Sequence, residues 1–134
     1  MRNFKKIKHL NEFDEIEKII QYNLSNRGLG KVKLYRQMMN CVNSINLSNT
    51  AVIVTGFPVK SAEVGETDGP PGALALAYAL NKLNKKTIIV TDKYSEALIR
   101  AGAESLQLIT EIYIFEEDKE DEQSEEIINK YKPE

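Results

Sequence analysis

Carboxylates near the ends of apolar runs are the side chains of this sequence best suited to chemistry. Glu66 and Asp68 lie in a loop after the apolar run 51–55, and Asp92 directly follows a second run, 87–91. Such carboxylates suit a divalent metal, a substrate ammonium group or general acid–base work. Each of them could instead cap a loop or a turn. Both interpretations stay open at all three positions.

Small and hydroxyl-bearing residues accompany these carboxylates. Thr55 and Gly56 end the first apolar run, while Thr67, Gly69 and Gly72 belong to the loop and to the helix start after it. A helix start offers backbone N–H groups to an anion or a developing oxyanion. Because prolines have no N–H, we expect the useful donors to begin at Gly72.

Arg27 is a candidate for binding a substrate carboxylate. With Gly28 it follows the first predicted helix, and its guanidinium could form a bidentate pair with a carboxylate. The alternative is an exposed arginine between two helices. His9, the single histidine, lies in a basic N-terminal stretch, so no Ser-His-Asp arrangement can be assembled around it. Cys41, the single cysteine, excludes an internal disulfide, and we expect its thiol to be buried.

Nucleotide-binding motifs are missing from the sequence. The first apolar run is followed neither by Gly-x-Gly-x-x-Gly nor by a loop that ends in Gly-Lys-Ser/Thr. The carboxylates of the loop would also repel a phosphate. These features argue against a dinucleotide or nucleoside triphosphate site.

The elements that must position these residues alternate between strands and helices. Apolar runs predict strands at about 51–55, 87–91 and 111–115. Helices are predicted at 11–24, 31–44, 71–83 and 93–101, with Gly102 as the C-cap of the last of these. The third helix, apolar almost all round, should be well covered. The order predicts a three-layer α/β/α (Rossmann-like) domain around a small parallel sheet of about three or more strands. The carboxyl ends of its strands would bring the candidate residues to one edge.

The acidic segment 116–126 has two interpretations. It could begin a last, solvated helix that buries Ile127, Ile128 and Tyr131, or it could be a cation site or a partner-binding patch. The sheet is small, so an edge must be covered by the N-terminal helices, by a second copy or by a completing chain.

Composition and net charge argue against several further classes of function. The 134 residues fit one domain, 1–134, and a net charge of −2 argues against a nucleic-acid partner. Apolar runs are too short for a membrane span, and the N-terminus lacks a signal-peptide core. We therefore expect a cytoplasmic protein that binds a small molecule.

Four strings carry a resemblance to a known family. Val-Thr-Gly-Phe-Pro at 54–58, Glu-Thr-Asp-Gly-Pro-Pro-Gly at 66–72 and Val-Thr-Asp at 90–92 resemble the D-glutamate cyclase-like C-terminal domain family, as does Asn-Arg-Gly at 26–28. The resemblance covers about residues 26–134, and this stretch resembles the first half of that domain. It implies a lyase that converts D-glutamate to 5-oxo-D-proline and water.

The resemblance also suggests site residues and alternatives. Glu66 or Asp68 would be the acid or base, Arg27 would hold the α-carboxylate, and Asp68 with Asp92 could hold Mn²⁺ or Mg²⁺. The ligand would be a small carboxylate or an amino acid. The alternatives are a non-catalytic module that binds an amino acid or a nucleotide-like ligand, and an incomplete domain whose site needs another chain.

Overall fold

The computed structural model describes residues 10–22, 37–59 and 61–133. The chain divides into two compact units, residues 1–47 and 48–134, and each is described by itself. Arg27, Gly28 and His9 lie outside the described residues, so the predictions for them stay predictions.

The first unit contains helices α1, Leu10–Ile20, and α2, Gln37–Leu47. Glu17 joins them, because its Oε1 accepts hydrogen bonds from Gln21 Nε2 at 3.0 Å and from the backbone N of Gln37 at 3.1 Å. The predicted burial is wrong in part. Cys41 is exposed, and α2 has no buried residue, since its apolar side chains alternate with asparagines and a serine.

The second unit is built on a parallel sheet. Its strands are β1, Thr50–Val54, β4, Lys86–Thr91, and β5, Thr110–Ile114, in the order β1-β4-β5. The pairs Thr50–Lys86 and Thr87–Thr110 set the two registers. The β-branched residues of β4 suit this central position, since five of its six residues are buried.

Helices cover both faces of the sheet. Ile88 and Val90 of β4 pack against Ile127 and Tyr131 of α5, Glu120–Tyr131. On the other face lie α3, Gly69–Lys82, and α4, Glu96–Ser105. The Nδ2 of Asn81 in α3 donates to the Thr87 hydroxyl at 3.0 Å, which places Thr87, and by alternation Thr91, on the α3 face. The predicted three-layer α/β fold is confirmed.

Glycine at position 102 has a different role from the predicted one. It lies inside α4, and a Cβ there would come within 2.3 Å of Leu74 Cδ1 in α3. Its missing side chain therefore lets the two helices approach closely, and the C-cap prediction is wrong.

Two predictions of burial fail in the second unit. Ile128 is 59% exposed, whereas Gln123 is buried and its Oε1 accepts the Glu116 N–H at 2.8 Å. The acidic helix thus uses an amide to fix the chain before it. Helix α3 is covered along one face, and Leu76 and Tyr78 remain exposed on the others.

The segment between β1 and α3 contains a small ribbon that was predicted only as a loop. Strands β2, Pro58–Val59, and β3, Val64–Gly65, pair antiparallel. Two-residue strands leave no periodic pattern in a sequence, so no signal distinguishes them from a loop.

Candidate functional site at the carboxyl edge of the sheet

The carboxyl ends of the three parallel strands meet at one edge, as predicted. The Thr55 N–H donates to the Val90 carbonyl at 2.9 Å, and the Phe115 N–H donates to the Thr91 carbonyl at 2.7 Å. These bonds continue both ladders by one residue. Thr55 therefore lies beside Thr91, and Asp92 follows directly.

Gly56 and Asp92 are packed against each other at this edge. Gly56 has φ +122°, a backbone conformation that favours glycine, and a Cβ on it would lie 2.2 Å from Asp92 Oδ2 and 3.2 Å from Thr91 Oγ1. A side chain at position 56 would therefore displace the Asp92 carboxylate. The glycine in the turn after β1 therefore leaves space for the side chains of Thr91 and Asp92.

The Asp92 carboxylate is engaged by its own turn. Oδ1 accepts the backbone N–H groups of Tyr94 at 2.8 Å and Ser95 at 2.9 Å, and Oδ2 accepts the Ser95 hydroxyl at 3.3 Å. This is an Asx turn that leads into α4. Of the two interpretations of Asp92, the structural one describes its contacts.

The ribbon is held over the same turn. A Cβ on Gly65 would lie 2.2 Å from Ser95 Oγ, so β3 passes directly over the buried Ser95. Ser95 thus contacts both the Asp92 carboxylate and the ribbon. The backbone of Glu66 extends this region, since its N–H donates to the Phe57 carbonyl at 2.9 Å.

Helix α3 begins beside Thr55. A Cβ on Gly69, the first helical residue, would lie 3.0 Å from Thr55 Oγ1. In a helix with Asp68 as N-cap, the N–H of Gly72 bonds to the Asp68 carbonyl. The expected donors from Gly72 onward are therefore used by the helix. The N–H groups that the helix itself leaves over are those of Asp68 and Gly69.

Asp68 occupies the N-cap position but makes no side-chain capping bond. An N-cap carboxylate accepts the N–H of the second or third helical residue. Here those residues are Pro70 and Pro71, which have no N–H. The sequence therefore removes the usual structural role of this carboxylate, and the Asp68 side chain remains exposed.

Glu66, Thr67 and Asp68 form an exposed segment between the ribbon and α3. Gly72 is exposed too, and a Cβ on it would meet nothing within 4 Å. Of the predicted residues, the structure brings together Thr55, Gly56, Gly69 and Asp92 through these close approaches. Their roles in binding or catalysis stay predictions.

A cavity of about 400 Å³ opens on the α5 side of this edge. Its lining is mostly apolar and includes Val52, Val54, Val90, Phe115, Ile127 and Ile128, together with Thr55, Gly56, Thr91 and Asp92. A cavity of this size with a few polar groups at one end is typical of small-molecule sites.

Thr91 is a residue that the sequence reasoning missed. It is 1% exposed, and its hydroxyl is a buried polar atom with no hydrogen-bond partner among the described residues. The repeated Thr-x-x-x-Thr of β4 was the available signal, because it places two hydroxyls on one face of a strand that is otherwise aliphatic.

The described residues contain no cluster of three or more histidine, cysteine, aspartate or glutamate side chains suited to a metal ion. The predicted site of Asp68 and Asp92 therefore stays a prediction, and it would need ligand atoms from outside those side chains. Within the described part of the chain, no helix is both long and apolar enough to cross a membrane.

The fold and this edge define a small three-layer α/β domain whose candidate ligand site lies beyond the carboxyl ends of parallel strands. Residues 16–133 match the family described as D-glutamate cyclase-like, C-terminal, and the chain belongs to that family. The predicted family is thus confirmed.

A curated human protein is among the relatives. The chain is 35% identical over 81 residues to the protein named "D-glutamate cyclase, mitochondrial" from Homo sapiens. The aligned residues cover 59% of this chain and 13% of the human protein. The aligned region is thus a small part of that relative. No solved structure matches the chain. The human name gives a mitochondrial location for that protein, and the cytoplasmic location of this chain stays a prediction.

Proposed function

We propose that the chain carries a D-glutamate cyclase-type site at the carboxyl edge of its sheet. The observation that carries the proposal is the family match over residues 16–133, which includes all of β1, α3, β4 and the segments between them. The reaction would convert D-glutamate to 5-oxo-D-proline and water.

The reaction sets clear demands on the site. The α-ammonium must lose a proton before its nitrogen attacks the γ-carboxyl carbon, where the C–N bond forms. A C–O bond then breaks, and the leaving oxygen takes protons and departs as water. The site must therefore supply a base, a donor to the tetrahedral oxyanion and an acid.

Asp68 is the carboxylate best suited to the proton transfers. It is exposed, it lies at the start of α3, and the two following prolines leave it without a capping partner. Asp92 is less suited, because three hydrogen bonds within its own turn hold its carboxylate. Glu66 is the second candidate for acid or base.

Oxygen atoms of the substrate would be held by groups beside Asp68. The Thr55 hydroxyl and the N–H groups of Asp68 and Gly69 lie at the start of α3, where the helix dipole favours negative charge. Arg27 with Gly28 remains the proposed partner of the α-carboxylate. Mn²⁺ or Mg²⁺ on Asp68 is a further proposal that the assay below addresses.

The test is to follow D-glutamate by proton NMR with the purified chain. Formation of 5-oxo-D-proline is expected, with L-glutamate as the stereochemical control and with assays after chelation and after addition of Mn²⁺ or Mg²⁺. Asp68→Asn should lower kcat by about 100-fold or more. Glu63→Gln, which changes an exposed carboxylate of the same segment, should leave the rate unchanged. Absence of product under all metal conditions would refute the proposal for this chain.

A second candidate is a non-catalytic module that binds a small carboxylate at the same edge. The engagement of Asp92 by its own turn favours it, since that carboxylate then serves structure and not chemistry. Thermal stabilisation by D-glutamate or 5-oxo-D-proline without turnover would support this candidate. Stabilisation and turnover only after mixing with a second chain, or only in an oligomer formed along β1, an edge strand of the described sheet, would support the incomplete-domain alternative.

A further inference from the structure

The Thr91 hydroxyl makes no hydrogen bond to the part of the chain that the structure describes. Thr91 is 1% exposed, and its Oγ1 has no hydrogen-bond partner among the described residues. A buried hydroxyl without a partner destabilises a fold, and such an atom in a native protein calls for an explanation. Valine has nearly the same shape without this cost, so packing alone does not account for a threonine here.

The neighbours of this hydroxyl point to a ligand. Thr55 lies beside Thr91 in the register that the Thr55 N–H to Val90 carbonyl bond sets, and the two side chains share the α3 face of the sheet. Gly69, the first residue of α3, lies close to the Thr55 hydroxyl, since a Cβ on it would come within 3.0 Å of Thr55 Oγ1. The Thr55 hydroxyl therefore lies at the N-terminal end of a 14-residue helix, and Thr91 is its neighbour in the sheet.

Such an arrangement suits an anionic group. Hydroxyls can donate to a carboxylate, and the positive end of a helix dipole favours negative charge. Asp92, the nearest carboxylate, has its own donors in Tyr94 and Ser95 and does not take up the Thr91 hydroxyl.

We infer that Thr91 is a ligand-binding residue, and that its hydroxyl, with that of Thr55, donates to the α-carboxylate of the bound ligand. The ligand reaches it from the side of Thr55, which is only half-buried. The inference rests on the proposed function in one respect, the class of ligand: D-glutamate and 5-oxo-D-proline both carry this carboxylate.

The chain offers a matched control in the same strand. Thr87 is also 1% exposed and lies on the same face of β4, but its hydroxyl accepts a hydrogen bond from Asn81 Nδ2 at 3.0 Å. Thr87→Val should therefore lower the melting temperature and leave ligand affinity unchanged. Thr91→Val should keep or raise the melting temperature, because it removes a polar group that has no partner.

The experiment measures Kd for D-glutamate and for 5-oxo-D-proline by calorimetry, with melting curves of the same samples. Thr91→Val should weaken both ligands by about 10-fold or more, the effect of a hydrogen bond to a charged group. Thr91→Ser, which keeps the hydroxyl, should restore most of the affinity. Since 5-oxo-D-proline lacks the ammonium group, an equal effect on both ligands excludes that group and is the result expected for the α-carboxylate that they share.

Four other outcomes would decide against the inference. Unchanged affinity in Thr91→Val overturns it, and loss for D-glutamate alone would place the ammonium at Thr91 instead. A stability loss as large as that of Thr87→Val would mean that the hydroxyl has a structural partner. Wild-type chain that binds neither ligand also overturns it. Wild-type chain that binds both but forms no product refutes only the proposed reaction, and the affinities then still judge Thr91.

Discussion

Two connections at the carboxyl edge run from the end of a strand to the start of a helix, and their aspartates differ in their hydrogen bonds. After β4, Asp92 accepts three hydrogen bonds from the next turn and closes the chain onto α4. Between β1 and α3, Asp68 stands at the N-cap without such a bond, because Pro70 and Pro71 remove the donors. A carboxylate next to a helix start is thus a structural residue when N–H groups follow it, and is available for other work when prolines do.

The largest loss of stability at the connection between β4 and α4 is expected from Gly56→Ala. The new Cβ would force a residue with φ +122° into a strained backbone and would lie 2.2 Å from Asp92 Oδ2. Strain and overpacking together should cost about 2–4 kcal/mol of the free energy of unfolding. Urea titration of the chain measures the loss. Gly72→Ala is the control, because its Cβ meets nothing and it lies within α3, so stability should stay equal or rise by about 0.5–1 kcal/mol.

The direct test of the comparison replaces each aspartate in turn. Asp92→Ala removes the acceptor of the Tyr94 N–H and leaves the Ser95 N–H only the longer bond to the Asp92 carbonyl, at 3.2 Å, so it should lower the free energy of unfolding by about 1–3 kcal/mol. Asp68→Ala should change it by less than about 0.5 kcal/mol, because no capping bond is lost. Equal losses in the same urea titrations would show that Asp68 is also structural.

Pro71→Ala should give the connection between β1 and α3 the side-chain capping bond that it lacks. It restores an N–H at the third helical residue, which the Asp68 carboxylate can accept. The gain of a cap, reduced by the greater freedom of the unfolded chain, should leave up to about 1 kcal/mol of added stability. The gain should vanish when Asp68→Ala is also present, and a double-mutant cycle in urea measures this coupling. A gain that persists without Asp68 would contradict the explanation.

The smallest effect concerns a carboxylate far from the edge. The Lys86 ammonium, 2.8 Å from Glu111, and the Tyr131 hydroxyl lower the pKa of Glu111 below its ordinary value of 4.5. A lowered folded-state pKa contributes stability that is present above the unfolded pKa and is lost as the pH falls through the folded one. Glu111→Gln should therefore cost roughly 0.2–1 kcal/mol at pH 7, since the pair is exposed, and the difference from wild type should shrink below pH 4.5. Melting curves across pH 3–7 check this.

The layers of the fold follow from patterns that a sequence displays openly. The β-branched runs of β1 and β4 fixed the strands to within one residue, and long helical connections between them required parallel pairing. The shared edge followed from that geometry alone. Burial was harder to predict. Ile128 is exposed, whereas Gln123 is buried because its amide oxygen accepts the Glu116 N–H from the chain before α5.

The site depended on partners that no local pattern reveals. Gly102 looked like the end of a helix, but its neighbour Leu74 lies 28 residues away in the chain. The different surroundings of Asp68 and Asp92 became visible only by finding which N–H groups face each carboxylate. Thr91 is a strand residue like Thr87, and its hydroxyl differs in having no hydrogen-bond partner among the described residues.

The order of the strands also has a consequence for how the protein is made. β1 leaves the ribosome well before β4, yet β4 is its neighbour in the sheet and its register begins only at Lys86. During that interval the aliphatic strand has no partner along its length, and the ribbon and α3 must be synthesised first. The nascent chain is therefore exposed to misassociation at β1 until Val90 has emerged, and conditions that slow translation between these strands should lower the yield of folded protein.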